Sequence, residues 1–196
     1  MTREILICND DSISAKGIRE VAQLMRQYGD VTVVAPKYQQ SAKGASITMD
    51  SKFYLEFLGS EEPTEELGGI RYYCMNGTPV DCTKMGINMF IDEGRIPDMF
   101  ISGINHGANF SIASLYSGTL GAAAEAAVYQ IPSIGLSLCD MDCDDFSTVL
   151  YYIPEIMEQF IANPPKNGTY LNINALPSNV QMSVFPFTIA FDHFLF

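Results

Sequence analysis

Two adjacent aspartates near the start of the chain, Asp10 and Asp11, are the residues whose type and spacing point most clearly to chemistry. They come directly after the apolar run at residues 5–8 and Asn9. A short apolar run that precedes a helical pattern predicts a strand buried on both faces of a parallel sheet. Ligands of open α/β sheets bind beyond the carboxyl ends of the strands, which is where this sequence places the two carboxylates.

The charge of this pair favours a bound cation. Neighbouring carboxylates repel each other unless a cation or protons offset their charge, and Mg²⁺ is typically held by one or two carboxylates together with substrate phosphates. For Asp10 or Asp11 alone, capping of the next helix is an equally good interpretation. For the two together at a strand end, metal binding is the stronger hypothesis.

An alternating series of strands and helices must position these aspartates. The first strand, a helix and a second strand form a βαβ unit, and two short alternating runs predict an antiparallel β-hairpin that leaves the main sheet. Strands are predicted at residues 5–8, 31–35, 53–57, 70–74, 99–104, 132–138 and 170–173. Helices are predicted at 18–28, 79–90, 120–129 and 148–161, with Pro154 kinking the last one or starting a new segment.

Polar residues also follow the other predicted strands at this edge of the sheet. The loop at residues 37–46 offers hydroxyls, a lysine and backbone N–H groups, although a solvated turn explains it equally. The strand at 99–104 leads to Asn105, His106 and Asn109. We therefore expect these segments to meet the two aspartates.

The small residues 117–119, Ser-Gly-Thr, enter an alanine-rich helix. Backbone N–H groups and the positive end of a helix dipole make such a turn a ready phosphate site. Thr119 as an ordinary N-cap is the alternative, and the two interpretations are compatible.

Composition limits the class of protein. The 196 residues are 47% hydrophobic and 17% charged, which predicts one globular domain with a well-buried core. The net charge of −12 argues against a polynucleotide partner, because binding to a phosphate backbone needs a basic surface. The sequence has neither a run long enough to span a membrane nor a signal-peptide pattern, so we expect a cytoplasmic protein without a membrane partner, with its five cysteines reduced.

In order and spacing, six segments together resemble the SurE family of survival-protein phosphatases, which are metal-dependent and act on nucleoside 5′- and 3′-monophosphates. The segments are 9–11 (NDD), 33–41 with 46–48, 76–82 (NGTPVDC), 102–109 (SGINHGAN), 117–119 (SGT) and 171–174 (LNIN). The resemblance extends over roughly residues 5–176. It implies an α/β fold, a Rossmann-like three-layer sandwich with a mostly parallel sheet and a β-hairpin excursion.

The resemblance also implies a site and an activity, that of a metal-dependent 5′-nucleotidase. One divalent metal ion per subunit, Mg²⁺ or Mn²⁺, would be held by Asp10, Asp11, Ser41 and Asn105. The catalytic residues would be Asp10, Asp11 and Asn105, with either aspartate able to act as base. The substrate phosphate would be bound by Asn109, Ser117, Gly118, Thr119 and His106.

The sequence departs from the family pattern at two places. Ser12 stands where the family usually has Gly, so a turn that needs a positive φ would be formed by a less suitable residue. We expect the family's C-terminal region to be absent after Leu176, with residues 1–177 forming the phosphatase domain and 178–196 an atypical tail, truncated or replaced. The homodimer or tetramer that the family implies is then in question. The alternative function is a non-catalytic protein that binds metal and nucleotide but has lost turnover.

Overall fold

The computed structural model describes residues 2–178 and the backbone of residues 187–193. Its strands are β1 (Arg3–Cys8), β2 (Gly29–Pro36), β3 (Leu55–Glu61), β4 (Ile70–Met75), β5 (Met99–His106), β6 (Ser133–Leu138), β7 (Thr169–Ala175) and β8 (Phe187–His193). Its helices are α1 (Lys16–Met25), α2 (Pro79–Asp92), α3 (Gly118–Val128) and α4 (Ser147–Ala162), with a short 3₁₀ helix at Ser111–Tyr116.

The strands form one sheet in the order β3-β4-β2-β1-β5-β6-β7-β8. Every neighbouring pair from β4 to β7 is parallel, and the outer pairs β3–β4 and β7–β8 are antiparallel. The predicted α/β fold with a mostly parallel sheet is confirmed. The predicted hairpin is β3–β4, but it continues the main sheet, because β4 pairs with β2. The sequence analysis did not predict β8.

Helices cover both faces of the sheet and complete the three layers. Alternate residues of β1 enter two separate cores: Ile5 and Ile7 pack with α1 and α4, whereas Leu6 and Cys8 pack with α2 and α3. All four side chains are fully buried. The prediction of a strand buried on both faces is therefore confirmed for β1.

The boundaries of several elements differ from their predicted positions. Helix α1 ends at Met25 and Gly29 begins β2, whereas the sequence pattern extended the helix to residue 28. Helix α4 is a single helix with Pro154 inside it. Its buried side chains, including Val149, Ile153 and Phe160, lie on both sides of the proline and provide packing that offsets the missing N–H.

Helix α2 begins as the sequence predicted. The Thr78 side chain accepts a hydrogen bond from the Asp81 N–H at 3.1 Å, and the Asp81 carboxylate accepts one from the Thr78 N–H at 2.9 Å. The same carboxylate accepts a bond from the Thr48 hydroxyl at 2.7 Å, and the Thr78 hydroxyl donates to the Ser46 carbonyl at 2.7 Å. This capping box therefore also fixes the end of the loop that leaves β2.

Candidate metal and phosphate site

Asp10 lies just beyond the carboxyl end of β1 and is only 5% exposed. Its Oδ1 accepts a hydrogen bond of 2.6 Å from the Thr119 hydroxyl in the first turn of α3. Its backbone carbonyl accepts a bond of 2.7 Å from the Gln40 N–H in the loop after β2. Three segments that are distant in sequence therefore meet at this one residue.

The buried position of Asp10 changes its acidity. The pKa of Asp10 is raised from 3.8 to about 6, mainly by removal from water; the Thr119 hydrogen bond lowers it and the charge of Asp11 adds to the increase. A carboxylate in such a place is costly as an anion unless a cation lies beside it.

The Asp11 carboxylate contacts β5. Its Oδ2 accepts a hydrogen bond of 3.1 Å from the His106 backbone N–H and lies 3.4 Å from His106 Nδ1. On the other side of the imidazole, Nε2 lies 2.9 Å from Asp144 Oδ1 in the acidic loop after β6. His106 therefore bridges two carboxylates, and its ring packs edge-on against Phe146.

The turn at residues 117–119 packs directly on Asp10. A Cβ added to Gly118 would lie 2.8 Å from the Asp10 Cβ, so the close approach requires glycine here. The N-cap of α3 is Ser117, whose Oγ accepts a bond of 3.1 Å from the Leu120 N–H. The alternative of Thr119 as the N-cap is wrong, because Ser117 occupies that position and Thr119 lies within the first turn of α3.

Ser41 is exposed and comes directly after Gln40, whose N–H binds the Asp10 carbonyl. The loop around it is anchored to the start of α3. The Gly44 N–H donates to the Tyr116 carbonyl at 2.9 Å, and a Cβ on Gly121 would lie 2.5 Å from the Gly44 carbonyl oxygen. The loop after β2 therefore lines the same edge as Asp10, with Ser41 at its surface.

Asn105 and His106 are the last residues of β5. The Asn105 amide is 8% exposed and donates to the Gly107 carbonyl at 2.7 Å. Asn109 lies further along, in the direction of β6 and β7, where its side chain donates to the Ser137 Oγ at 2.9 Å. Among the described residues, no hydrogen bond joins Asn109 to Asp10 or Asp11.

The turn after Asp11 has the predicted backbone conformation. Ser12 has a φ of +95°, a region that glycine occupies without penalty and other residues rarely enter. The Asn9 side chain donates to the Ser12 carbonyl at 2.9 Å and the Ser12 hydroxyl lies 2.9 Å from the Ser14 hydroxyl, so local hydrogen bonds hold the turn.

The geometry thus brings Asp10, Asp11, His106, Gly118 and Thr119 into direct contact or close packing. Ser41, Asn105 and Ser117 are attached to the same edge through neighbouring residues, and Asn109 belongs to a separate polar cluster. Sequence reasoning missed two partners of this site, Gln39, which donates to Asp11 at 3.4 Å, and Asp144. The sequence position of Asp144 carries no signal of a contact with His106, 38 residues away.

These residues fit a hard divalent cation. In the part of the chain that the structure describes, no group of three or more His, Cys, Asp or Glu side chains is placed to hold a metal. A cation beside Asp10 and Asp11 would therefore be completed by neutral oxygens, such as amide and hydroxyl oxygens, or by phosphate, which is the oxygen-rich donor set of Mg²⁺ or Mn²⁺.

Comparisons with known proteins agree on one family. The profile of the family described as survival protein SurE matches residues 5–190. The protein named 5′-nucleotidase SurE of Cytophaga hutchinsonii is 43% identical over 171 residues, covering 87% of this chain and 63% of that protein. The protein of the same name from Porphyromonas gingivalis is 36% identical over 193 residues, covering 98% of this chain and 72% of that protein.

A solved structure gives the same result. The crystal structure of the SurE protein from Aquifex aeolicus matches with a TM-score of 0.75 and 30% sequence identity, covering 88% of this chain and 66% of that one. The chain thus spans about two thirds of the length of this structure and 63% of the Cytophaga relative. Among the described residues, none of the helices has the length and apolar character needed to cross a membrane.

Proposed function

Since the chain belongs to the survival protein SurE family, as its match over residues 5–190 establishes, we propose that it is a metal-dependent phosphomonoesterase. Its substrates are nucleoside 5′- and 3′-monophosphates, which it hydrolyses to nucleoside and phosphate. The names of the relatives, 5′-nucleotidase SurE, support this reaction class.

One observation carries the proposal: the Thr119 hydroxyl in the first turn of α3 binds the buried Asp10 carboxylate at 2.6 Å, with Asp11 next to it. A pair of carboxylates is thereby held against the amino end of a helix, where backbone N–H groups and the helix dipole attract an anion. This juxtaposition suits a phosphate that shares a cation with the carboxylates.

The proposed metal ligands are Asp10, Asp11, Ser41 and Asn105. A bound divalent cation, one Mg²⁺ or Mn²⁺ per subunit, would offset the negative charge that develops on the phosphate oxygens. Asp10 or Asp11 accepts the proton of the attacking water on a carboxylate oxygen. Together with Asn105, these aspartates form the proposed catalytic set.

The phosphate-binding residues of the proposal are Asn109, His106, Ser117, Gly118 and Thr119. Because the Thr119 hydroxyl and backbone N–H both bind Asp10, the turn would offer the phosphate the backbone N–H of Gly118 instead. The helix that follows contributes its positive end. Binding here orients the phosphorus toward the two carboxylates.

The experiment is phosphate release from a panel of nucleoside 5′- and 3′-monophosphates with Mn²⁺, Mg²⁺ or EDTA. We expect release only with the metal ions, and we expect the Asp11→Asn variant to lose it while its far-UV circular dichroism stays unchanged. Full activity of Asp11→Asn would refute the assignment. Nucleotide-dependent thermal stabilisation without phosphate release would instead support the non-catalytic alternative.

Assembly and location complete the proposal. We propose a homodimer or tetramer in the cytoplasm. Exposed apolar side chains in and before β3, including Tyr54 and Phe57, which are 69% and 55% exposed, support self-association. Light scattering on a size-exclusion column tests this part, and a monomer at micromolar concentration would contradict it.

A further inference from the structure

Two asparagines of β7, Asn172 and Asn174, interrupt an otherwise apolar strand. Their side chains are almost fully buried, with exposures of 1% and 3%. Because they are two residues apart, they lie on the same face of the sheet, the face on which Tyr170 packs into the core with α2 and α3. A buried amide must find hydrogen-bond partners, so this pair needs an explanation.

The partners form a closed ring with the backbone of Asn109. The Asn109 N–H donates to Asn174 Oδ1 at 2.7 Å, Asn174 Nδ2 donates to Asn172 Oδ1 at 2.9 Å, and Asn172 Nδ2 donates to the Asn109 carbonyl at 2.7 Å. Each amide is used once as donor and once as acceptor. Rotating either amide by 180° would place donor against donor and acceptor against acceptor, so the ring has one self-consistent orientation.

This ring holds a segment without regular structure. Asn109 lies between the end of β5 and the 3₁₀ helix, and Gly107, two residues before it, has a φ of +101°. The two asparagines replace, for one residue, the hydrogen bonds that a neighbouring strand would supply. The position of Asn109 is thus set by β7, 63 and 65 residues away in sequence.

A third contact connects the ring with the metal-binding edge. The Asn109 side chain donates to Ser137 Oγ at 2.9 Å. In the register of the sheet, Ser137 of β6 pairs with Asn105 of β5 on one side and with Asn174 of β7 on the other. Buried polar residues therefore form a row across three parallel strands, from the proposed ligand Asn105 to the ring.

We infer that Asn172, Asn174 and Ser137 are positioning residues that hold Asn109 where it binds the substrate phosphate. The inference rests on the proposed function, which makes Asn109 a phosphate-binding residue. The three residues touch neither substrate nor metal themselves; they fix the backbone and the side chain of the residue that does.

The test uses two serines of the same strand. Ser137 and Ser133 are both fully buried in β6, but Ser133 donates to the Ile131 carbonyl at 2.7 Å at the opposite end of the strand. We expect Ser137→Ala to raise the KM for a nucleoside monophosphate several-fold, with a smaller change in kcat, and Ser133→Ala to leave both constants unchanged. Asn174→Ala, which opens the ring, should lower kcat/KM by about ten- to a hundredfold.

Two further measurements separate positioning from general damage. Calorimetric binding of inorganic phosphate in the presence of Mn²⁺ should weaken in parallel with KM in both variants. Calorimetric binding of Mn²⁺ alone should stay within about twofold of wild type, because Asp10 and Asp11 are held by α3 and β5 rather than by the ring. If Asn174→Ala does not fold, Ser137→Ala with its Ser133→Ala control still decides the matter.

The outcomes are distinct. The positioning role would be overturned if the wild type hydrolyses nucleotides and both Ser137→Ala and Asn174→Ala keep its KM and phosphate affinity. That result would leave the proposed function intact. Equal losses in Ser133→Ala and Ser137→Ala would also overturn it. Wild-type protein that neither binds phosphate nor hydrolyses nucleotides would overturn both proposals.

Discussion

Replacing Asp10 by asparagine should stabilise the metal-free protein at neutral pH while removing its response to metal ions. The side chain is 5% exposed, and its burial raises the pKa from 3.8 to about 6. Asparagine has nearly the same shape and retains an Oδ1 that can accept the Thr119 hydroxyl. It carries no charge, so the cost of a buried anion disappears.

The sign and size of this stability difference follow from proton linkage. Between pH 3.8 and 6 the folded state of the wild type holds the Asp10 proton while the unfolded chain has lost it, so the free energy of unfolding falls as the pH rises through this window. A difference of about two pH units corresponds to about 3 kcal/mol. For a chain of this length, that is a Tm difference of about 6 to 12 °C.

The assay is thermal unfolding of wild type and Asp10→Asn in EDTA, followed by circular dichroism at several pH values from 4 to 7.5. Subtracting the free energy of unfolding of one protein from that of the other at each pH removes the contribution of all titrating groups that they share. We expect the stability of the variant relative to the wild type to increase by about 3 kcal/mol from pH 4 to pH 7 and then to level off.

Metal ions supply the second half of the test. At pH 7 an excess of Mn²⁺ about a hundredfold above its Kd should stabilise the wild type by about 2.7 kcal/mol and the variant hardly at all. A stability difference between the two proteins that stays constant from pH 4 to pH 7 would refute the reasoning about Asp10. Equal stabilisation of both proteins by Mn²⁺ would remove Asp10 from the set of ligands.

Three further substitutions follow from single contacts. Ser12→Gly should stabilise the protein by about 1 kcal/mol, measured by urea unfolding, because glycine adopts the φ of +95° without strain. Gly118→Ala should lower kcat/KM by about a hundredfold, because its Cβ would lie 2.8 Å from the Asp10 Cβ and displace the carboxylate. Asp144→Ala should lower kcat/KM by no more than about fivefold, because its bond to His106 Nε2 lies at the surface.

The outcomes that contradict these predictions are specific. A lower stability of Ser12→Gly would mean that the hydroxyl bond to Ser14 outweighs the backbone strain. Wild-type kcat/KM in Gly118→Ala would mean that the site tolerates a shift of α3. For Asp144, the matched control is Asp142→Ala, which removes one charge from the same exposed loop; an equal loss in both variants would assign the effect to net charge.

The sequence predicted the sheet and its polar edge because those features depend on local patterns. Apolar runs located the buried strands, and the Thr78-Pro79-Val80-Asp81 segment carried a complete capping box whose bonds form within one turn. The choice between Ser117 and Thr119 as N-cap could not be made locally. Both are good capping residues. The structure has Ser117 at the cap, while the Thr119 hydroxyl binds Asp10, 109 residues away in sequence.

The contrast between local patterns and contacts distant in sequence also explains where else the structure differs from the prediction. Pro154 predicted either a kink in α4 or the start of a new segment, and a new segment is excluded because the helix continues through the proline, with buried side chains on both sides of it. The ring around Asn109 could not be foreseen either, because the motif at residues 171–174 is an ordinary strand pattern until β7 is placed beside β6. Individual residue roles at the site remain predictions that the substitutions above will test.

The long sequence separations within the site have a consequence for folding. The hydrogen bonds of Asp10 and Asp11 join residues 109 and 95 positions apart, the ring around Asn109 joins residues 65 positions apart, and β1 pairs with β5 across a similar distance. Closing such loops is entropically unfavourable until several strands are aligned, so contacts of this kind form late. Recovery of Mn²⁺ binding during refolding should therefore lag behind the return of helical circular dichroism, which would make metal binding a reporter of the completed sheet.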